Sequence, residues 1–177
     1  MTAFGLALAL SAVVGSASAD PGVIDVHGSG GALVPVEGTG TVPVGALGVA
    51  LGISEVHSLG LRLLGAPPSD TAAGTTSWGT VVELRRTVDL VGRLRPIGVV
   101  SGGFVAATPP GPDTPNLVRP ALHAGVGFEL VGGLSQSSWT LAPVLGVAPQ
   151  LFTNDRLLSV YAPTVELRIG GRWPPLE

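Results

Sequence analysis

The chain of 177 residues contains no cysteine and has a formal net charge of −3, which excludes disulfide bonds and thiolate metal sites and gives no sign of nucleic-acid binding. Only 12% of its residues are charged, whereas about 25% is usual in a soluble domain, and its mean hydropathy is +0.52. Residues 20–177 nevertheless lack the apolar run of about 18 residues that a transmembrane helix needs. The chain is therefore either a densely packed soluble domain or a β-barrel that faces lipid, and the low charge favours the barrel.

The first residues of the chain have the pattern of a cleavable secretory signal peptide. A short apolar run at residues 4–14 is followed by small residues at 17–19, which predicts cleavage before Asp20. The run is far shorter than the ~20 residues needed to span a bilayer, so an N-terminal anchor helix is the less favoured alternative. The basic start that is usual in signal peptides is absent. We predict a signal peptide at residues 1–19 and one domain at residues 20–177.

Eight segments alternate between apolar residues and polar or small ones, and this period of two is typical of β-strands whose two faces differ. In chain order they are residues 23–36, 41–53, 58–63, 78–89, 94–107, 118–130, 139–150 and 157–173. The fifth segment is ambiguous because both of its rows are apolar. An even number of such segments, separated by turn residues, is the sequence signature of a transmembrane β-barrel.

The last segment shows the alternation most clearly. It is long for a soluble strand, which usually has about 5–6 residues, and it suits a tilted strand that crosses a bilayer, which needs about 9–11 residues. One row carries all of its charges, at Glu166, Arg168 and Arg172. The other row is mostly apolar and includes Tyr161, Val165, Leu167, Ile169 and Trp173. We predict that the apolar row faces lipid and that the charged row faces the lumen.

In the fourth segment the same alternation places Val88 and Arg86 on the outer row. An Arg that faces lipid at the bilayer midplane costs roughly 2–4 kcal/mol, and the cost falls near zero at the interfaces. Arg86 lies eight residues after Trp78, which is roughly 19 Å along the membrane normal for a strand tilted by ~45°. We therefore expect its guanidinium to reach the headgroup region.

The connections and the aromatic residues give the predicted barrel an orientation. With a periplasmic N-terminus, the two longest connections, residues 65–76 and 108–116, are extracellular. Six of the seven aromatic residues after the signal peptide fall on outer rows near strand ends, as in the aromatic girdles at membrane interfaces. We predict Trp78, Phe104 and Tyr161 at the extracellular interface and Phe128, Trp139 and Trp173 at the periplasmic interface.

The opposite rows carry charges of both signs. They comprise Asp25, His27, Arg62, Glu83, Arg85, Arg119, His123, Glu129, Glu166, Arg168 and Arg172. Unpaired charges in a lumen are costly, so we predict a network of salt bridges and hydrogen bonds that fills it. The strand order predicts an ion pair between Arg62 and Glu83. It also predicts that Glu166 or Arg168 meets Asp25 or His27 where the last strand closes on the first.

Together these features resemble the small eight-stranded outer-membrane barrels of Gram-negative bacteria, of the OmpA/OmpX type, over the whole of residues 20–177. The resemblance implies an all-β, antiparallel, up-and-down transmembrane barrel that is exported to the outer membrane and is a monomer. It implies two partners, the outer-membrane lipid and the assembly machinery that reads the last strand. In such barrels the machinery recognises a last strand that ends in an aromatic residue. Leu167, Ile169 and Trp173 supply this pattern here, although residues 174–177 follow the aromatic residue. No cofactor, metal or nucleic acid is predicted.

The sequence favours a structural or surface-interaction role that acts through the extracellular connections and an unidentified ligand. A porin-like channel for small solutes is the first alternative, but eight strands leave interior room only for side chains. An enzyme that modifies lipid A is the second alternative, with His27, Ser29 and Asp25 as its candidate residues. Hydrolysis needs a nucleophile, a base and an oxyanion site, which these three residues on one strand do not specify. We therefore predict no catalytic residue. A soluble lipocalin-like barrel, apolar inside and polar outside, is the alternative fold.

Overall fold

The computed structural model describes residues 21–34, 41–68, 76–88, 93–108, 111, 117–134, 137–150 and 160–173, and for residues 117, 133–134, 137, 149–150 and 160–162 it describes the backbone alone. These residues form eight β-strands. They are β1 (Ile24–Leu33), β2 (Val42–Gly52), β3 (His57–Ala66), β4 (Thr76–Thr87), β5 (Leu94–Thr108), β6 (Leu117–Leu134), β7 (Ser137–Gln150) and β8 (Val160–Trp173). Within the described ranges, no helix is long and apolar enough to cross a membrane.

The strands form a closed barrel in which each strand pairs with its neighbours in the chain. Closure is made by antiparallel pairing of β1 with β8, from Ile24 opposite Trp173 to Leu33 opposite Thr164. All of the other pairs are antiparallel as well. The predicted all-β, eight-stranded, up-and-down barrel is thus confirmed.

The connections between the described strands differ in length at the two ends of the barrel. At one end they occupy residues 34–41, 67–75, 109–116 and 151–159. At the other end they occupy only residues 53–56, 88–93 and 135–136. We call these the long-connection end and the short-turn end. The predicted signal peptide, most of the two predicted extracellular loops and residues 157–159 of the eighth segment lie outside the described residues, so these remain predictions.

Side chains alternate across the barrel wall as the sequence pattern predicts. On β3, Leu59, Leu61 and Leu63 are 45–60% exposed on the outer surface, whereas Ser58 and Arg62 are each 4% exposed and face the lumen. Strand pleating produces this alternation, because successive side chains point to opposite faces of a sheet. The apolar outside and charged inside are the reverse of the lipocalin-like alternative.

Three details of the wall differ from the sequence pattern or resolve it. Val88 was predicted on the outer row but is buried, because the alternation ends with β4 at Thr87 and Val88 belongs to the connection that follows, where its N–H donates to the carbonyl of Pro96 at 3.0 Å. In the ambiguous fifth strand, Val99 faces the lumen and Phe104 faces outward.

The third detail concerns a proline within a strand. The β6–β7 register runs to Gly127 opposite Val144 and resumes at Leu130 opposite Leu141. Pro143 lies in this interval and has no N–H to donate to the ladder, so the strand continues although its pairing is interrupted.

Candidate functional site in the barrel lumen

Two arginines and two glutamates from opposite sides of the barrel form a cluster that we call the upper ring: Arg62, Glu83, Glu166 and Arg168. Arg62 Nη1 donates to Glu83 Oε2 at 2.9 Å, and its Nη2 donates to Glu166 Oε1. Arg168 donates to both oxygens of Glu83, at 2.6 and 3.0 Å, and to Glu166 Oε2 at 3.1 Å. Since β4 and β8 lie opposite each other in the barrel, these contacts bridge the lumen.

A second cluster, also of two arginines and two carboxylates, lies nearer the short-turn end, and we call it the lower ring: Asp25, Arg85, Glu129 and Arg172. Arg85 Nη2 and Arg172 Nε both donate to Asp25 Oδ2, at 2.6 and 3.1 Å. Arg172 Nη2 donates to Glu129 Oε2 at 2.6 Å, and Arg85 Nη1 lies 3.6 Å from Glu129 Oε1. The lower ring draws on β1, β4, β6 and β8, so it also spans the lumen.

Each ring contains two positive and two negative side chains and is neutral as a unit. All eight side chains are at most about a tenth exposed. Ions in such a setting are stable only when each has close partners of opposite charge, because the loss of solvation is not otherwise offset. Hydroxyls extend the network, since Ser29 Oγ accepts from Arg62 at 2.9 Å and Ser58 Oγ accepts from Arg85 at 3.2 Å.

The structure places nine of the eleven lumen residues predicted from the sequence in or beside the rings. The expected pair of Arg62 with Glu83 is present, and His27 Nδ1 lies 3.2 Å from Asp25 Oδ1. Arg119 and His123 lie on the inner row of β6 but belong to neither ring, and His123 instead borders a cavity.

The predicted contact between the last strand and the first is different in the structure. The register sets Asp25 opposite Arg172 and Ser29 opposite Arg168, so the partner of Asp25 on β8 is Arg172. Arg168 and Glu166 point instead toward Glu83 and Arg62 in the upper ring. The serines were not predicted as part of the network, although their position on the charged rows of β1 and β3 is the sequence signal that could have identified them.

Between the upper ring and the long-connection end, the lumen is apolar and leaves a cavity of about 130 Å³. Its walls carry Leu33 and Val44 on one side and Val81, Val105 and Ala121 on the other. Arg62 and Glu166 of the upper ring lie at its base. The sequence predicted a polar lumen throughout, so this apolar upper half was missed.

The close approach of side chains to the backbone explains one glycine of the lumen. A Cβ at Gly48 would lie 2.6 Å from His27 Nε2 and 2.9 Å from Arg62 Cγ. We expect Gly48→Ala to lower the free energy of unfolding by about 1–3 kcal/mol, because the added methyl displaces these side chains from their partners. The measurement is urea unfolding of the barrel in lipid vesicles.

Gly28→Ala is the matched control for this prediction, because Gly28 is on the adjacent pair of the same ladder but its Cβ would meet no atom closer than Leu47 Cδ2, at an ordinary 3.6 Å. We expect a change within about 0.5 kcal/mol for this control. Equal effects of the two substitutions would contradict the crowding of the lumen at Gly48.

The predicted interface aromatics occupy both ends of the outer wall. Trp78 and Phe104 lie in register with Ala106 and Pro120, toward the long-connection end. The side chains of Phe128, Trp139 and Trp173 are exposed toward the short-turn end. The side chain of Tyr161 lies outside the described residues.

The described residues contain no group of three or more His, Asp and Glu side chains that is arranged to hold a metal ion. The triplet weighed as a catalytic alternative is not assembled as a catalytic relay. Asp25 contacts His27, but the Ser29 hydroxyl accepts from Arg62. These side chains are engaged in the network that fills the lumen.

No protein-family model and no curated protein sequence matches the chain. Its structure is similar to the N-terminal β-barrel domain of Pseudomonas aeruginosa OprF, with a TM-score of 0.65 and 10% identity over 86% of this chain and 98% of that one. It is similar to Neisserial surface protein A, with a TM-score of 0.61 and 9% identity over 85% of this chain and 95% of that one. It is also similar to Ail, the attachment invasion locus protein of Yersinia pestis, with a TM-score of 0.50 and 10% identity over 87% of this chain and 100% of that one. All three are eight-stranded outer-membrane barrels, and this chain has their fold.

Proposed function

We propose that the chain is an outer-membrane barrel of a Gram-negative bacterium, with a plugged lumen and a structural or surface-interaction role. The observation that carries the proposal is the apolar outer wall around a buried charged interior. Residues such as Leu47, Leu63 and Leu145 are at least 60% exposed on this wall. Soluble monomers rarely expose contiguous apolar patches larger than a few hundred Å², whereas lipid covers such a surface on every strand of a membrane barrel.

The proposed role in surface interaction belongs to the long-connection end. Four connections leave the barrel there, among them the predicted extracellular loops at residues 65–76 and 108–116. Longer loops on the extracellular side are typical of outer-membrane barrels, whose short turns face the periplasm. The rigid barrel would hold these four connections together at the cell surface, where an external ligand can reach them.

Two further partners follow from the wall of the barrel. Outer-membrane lipid would contact the exposed apolar rows between the two groups of aromatic residues. The assembly machinery would read β8, on which Leu167, Ile169 and Trp173 all present exposed side chains on the outer face. A closed barrel has no free strand edge to pair with a second copy, which supports a monomer.

Membrane fractionation followed by gel electrophoresis with and without boiling tests the proposal. We expect the protein in the outer-membrane fraction, and we expect the unboiled sample to migrate differently from the boiled one because the closed barrel resists detergent. A mixture of the boiled and unboiled samples is the control and should give both bands. Recovery as a soluble periplasmic protein would overturn the proposal.

We expect no steady conductance when the purified barrel is inserted into planar bilayers. Both rings cross the lumen, and an eight-stranded barrel is too narrow to leave an aqueous channel beside them. As a control, protease protection of the same preparation should confirm that the barrel has inserted into the bilayer, so that the absence of current is not due to failed insertion. A reproducible single-channel current would instead support the alternative of a small-solute channel.

A further inference from the structure

We propose that the cavity above the upper ring binds a small neutral amphipathic molecule that has an apolar body and one hydroxyl or carbonyl group. The cavity measures about 130 Å³, which is close to the 150 Å³ of an engineered protein cavity that binds benzene. A ligand of about six to eight non-hydrogen atoms therefore fits. This inference goes beyond the proposed surface role and needs only the folded barrel.

The walls of the cavity account for the apolar body of the ligand. Val81, Val105 and Ala121 pack together as one buried cluster on β4, β5 and β6. Leu33 and Val44 belong to a second apolar cluster on β1 and β2. These two clusters face the same cavity, so a hydrocarbon body would contact apolar side chains from both sides and would gain the free energy of leaving water.

The ligand should carry a polar group, because polar side-chain atoms of the cavity wall have no hydrogen-bond partner among the described residues. Thr164 Oγ1, Ser77 Oγ and His123 Nδ1 are buried and unpaired, and all three residues line the cavity. The side chains of Thr164 and His123 are neighbours, since a Cβ at Gly146 would lie 3.0 Å from the unpaired Thr164 Oγ1 and 2.7 Å from Nε2 on the other edge of the His123 ring. A buried polar atom without a partner is costly, and a ligand hydroxyl or carbonyl would remove that cost.

The base of the cavity explains why the ligand should be neutral. Arg62 and Glu166 lie there, but each already has ion-pair partners within the neutral upper ring. A charged ligand group would therefore be buried beside a cluster with no excess charge to compensate it, which is unfavourable.

Entry is expected from the long-connection end. Leu33 and Ala66, which border the cavity, are the last residues of β1 and β3 at that end. In the other direction, the two rings separate the cavity from the short-turn end. A ligand would therefore reach the cavity from the side that the proposed orientation places outside the cell.

The test is a titration of the full barrel in lipid nanodiscs with 1-hexanol, followed by NMR of valine methyl groups. We expect saturable shifts at Val81 and Val105 in the cavity. Val82 is the internal control, because it is the neighbour of Val81 on the outer wall and reports alcohol that merely dissolves in the lipid. Hexanoate at neutral pH is expected to give no saturable shift at Val81.

Substitutions separate a bound ligand from a general effect of alcohol. Ala121→Leu fills the cavity and should abolish the saturable shift. If the Ala121→Leu variant does not fold, Ala46→Leu fills the cavity from the opposite wall and replaces it in the test. Thr164→Val should weaken binding about two- to tenfold by removing one hydrogen bond. Thr140→Val is the matched control, because Thr140 is also buried in the lumen but does not line the cavity.

The proposal is overturned if Val81 and Val105 show no saturation. It is also overturned if the saturation persists in folded Ala121→Leu or Ala46→Leu variants, or if Thr164→Val and Thr140→Val weaken binding equally. Hexanoate binding as tight as that of hexanol would contradict the assignment of a neutral ligand. A change in the mobility shift on boiling would show separately whether the barrel itself has been lost.

Discussion

Replacement of Arg168 by methionine is expected to lower the free energy of unfolding by about 3–5 kcal/mol, the usual cost of removing one partner from a buried ion pair. Arg168 contributes three of the contacts that hold the upper ring together at 3.1 Å or less. Without it, Glu83 and Glu166 share only Arg62, and two buried negative charges face one positive charge. Urea unfolding in lipid vesicles, followed by the mobility of unboiled samples on gels, measures the change.

Two variants define the origin of this loss. Ile169→Met changes the next residue of β8, which is 60% exposed on the outer wall, and should alter the unfolding free energy by less than about 0.5 kcal/mol. The double variant Arg168→Met with Glu83→Gln leaves Arg62 paired with Glu166 and should recover part of the stability. If the double variant is less stable than Arg168→Met alone, charge imbalance is not the cause and the ring model is wrong.

The sequence predicted the fold because the wall of a membrane barrel has only two environments. Leu61 and Arg62 are neighbours in the chain, but Leu61 lies on the exposed outer wall and Arg62 in the lumen, and this difference repeats on strand after strand. A one-residue shift would move every side chain to the other face, so the alternation alone determines which residues point inward. The order of the strands then made Arg62 and Glu83 neighbours, which was enough to predict their contact.

The partners across the closing seam could not be predicted in the same way. Strand order shows that β8 meets β1, but it does not specify the stagger of the two strands. The structure sets Asp25 opposite Arg172, which is four residues beyond Arg168 and six beyond Glu166, the two partners that the sequence offered. The stagger depends on the tilt of all eight strands together, so no single segment contains it.

The cavity was missed for a different physical reason. Ile97 and Val99 on one row and Val100, Phe104 and Ala106 on the other make both rows of the fifth segment apolar, so the sequence does not show which row faces inward. In the structure the outer row of that strand is apolar because it lies on the wall, whereas its inner row is apolar at two levels of the lumen: Ile97 and Val99 pack with Ala142 and Val144 at the level of the rings, and Val105 packs in the wall of the cavity. Alternation separates inside from outside, but it does not distinguish one level of the lumen from another.

Leu61→Arg tests the membrane environment of the wall most directly. Leu61 is 52% exposed in the middle of β3, in register with Val49 and Val82. If lipid covers this wall, an arginine there should lower the free energy of unfolding by about 2–4 kcal/mol, because its charge lies near the bilayer midplane. In a soluble barrel the same residue would face water, and the substitution would change the unfolding free energy by less than about 0.5 kcal/mol.

Ile53→Arg is the matched control, because Ile53 is also 52% exposed but lies just after β2 at the short-turn end. There the arginine can reach the headgroups, and a cost of only about 0–1 kcal/mol is expected. Exposure is equal at the two positions, so the difference between the variants measures depth in the bilayer alone. Equal costs at Leu61 and Ile53 would remove the lipid-facing wall on which the proposed location depends, whereas a graded cost would place the membrane around the middle of the strands.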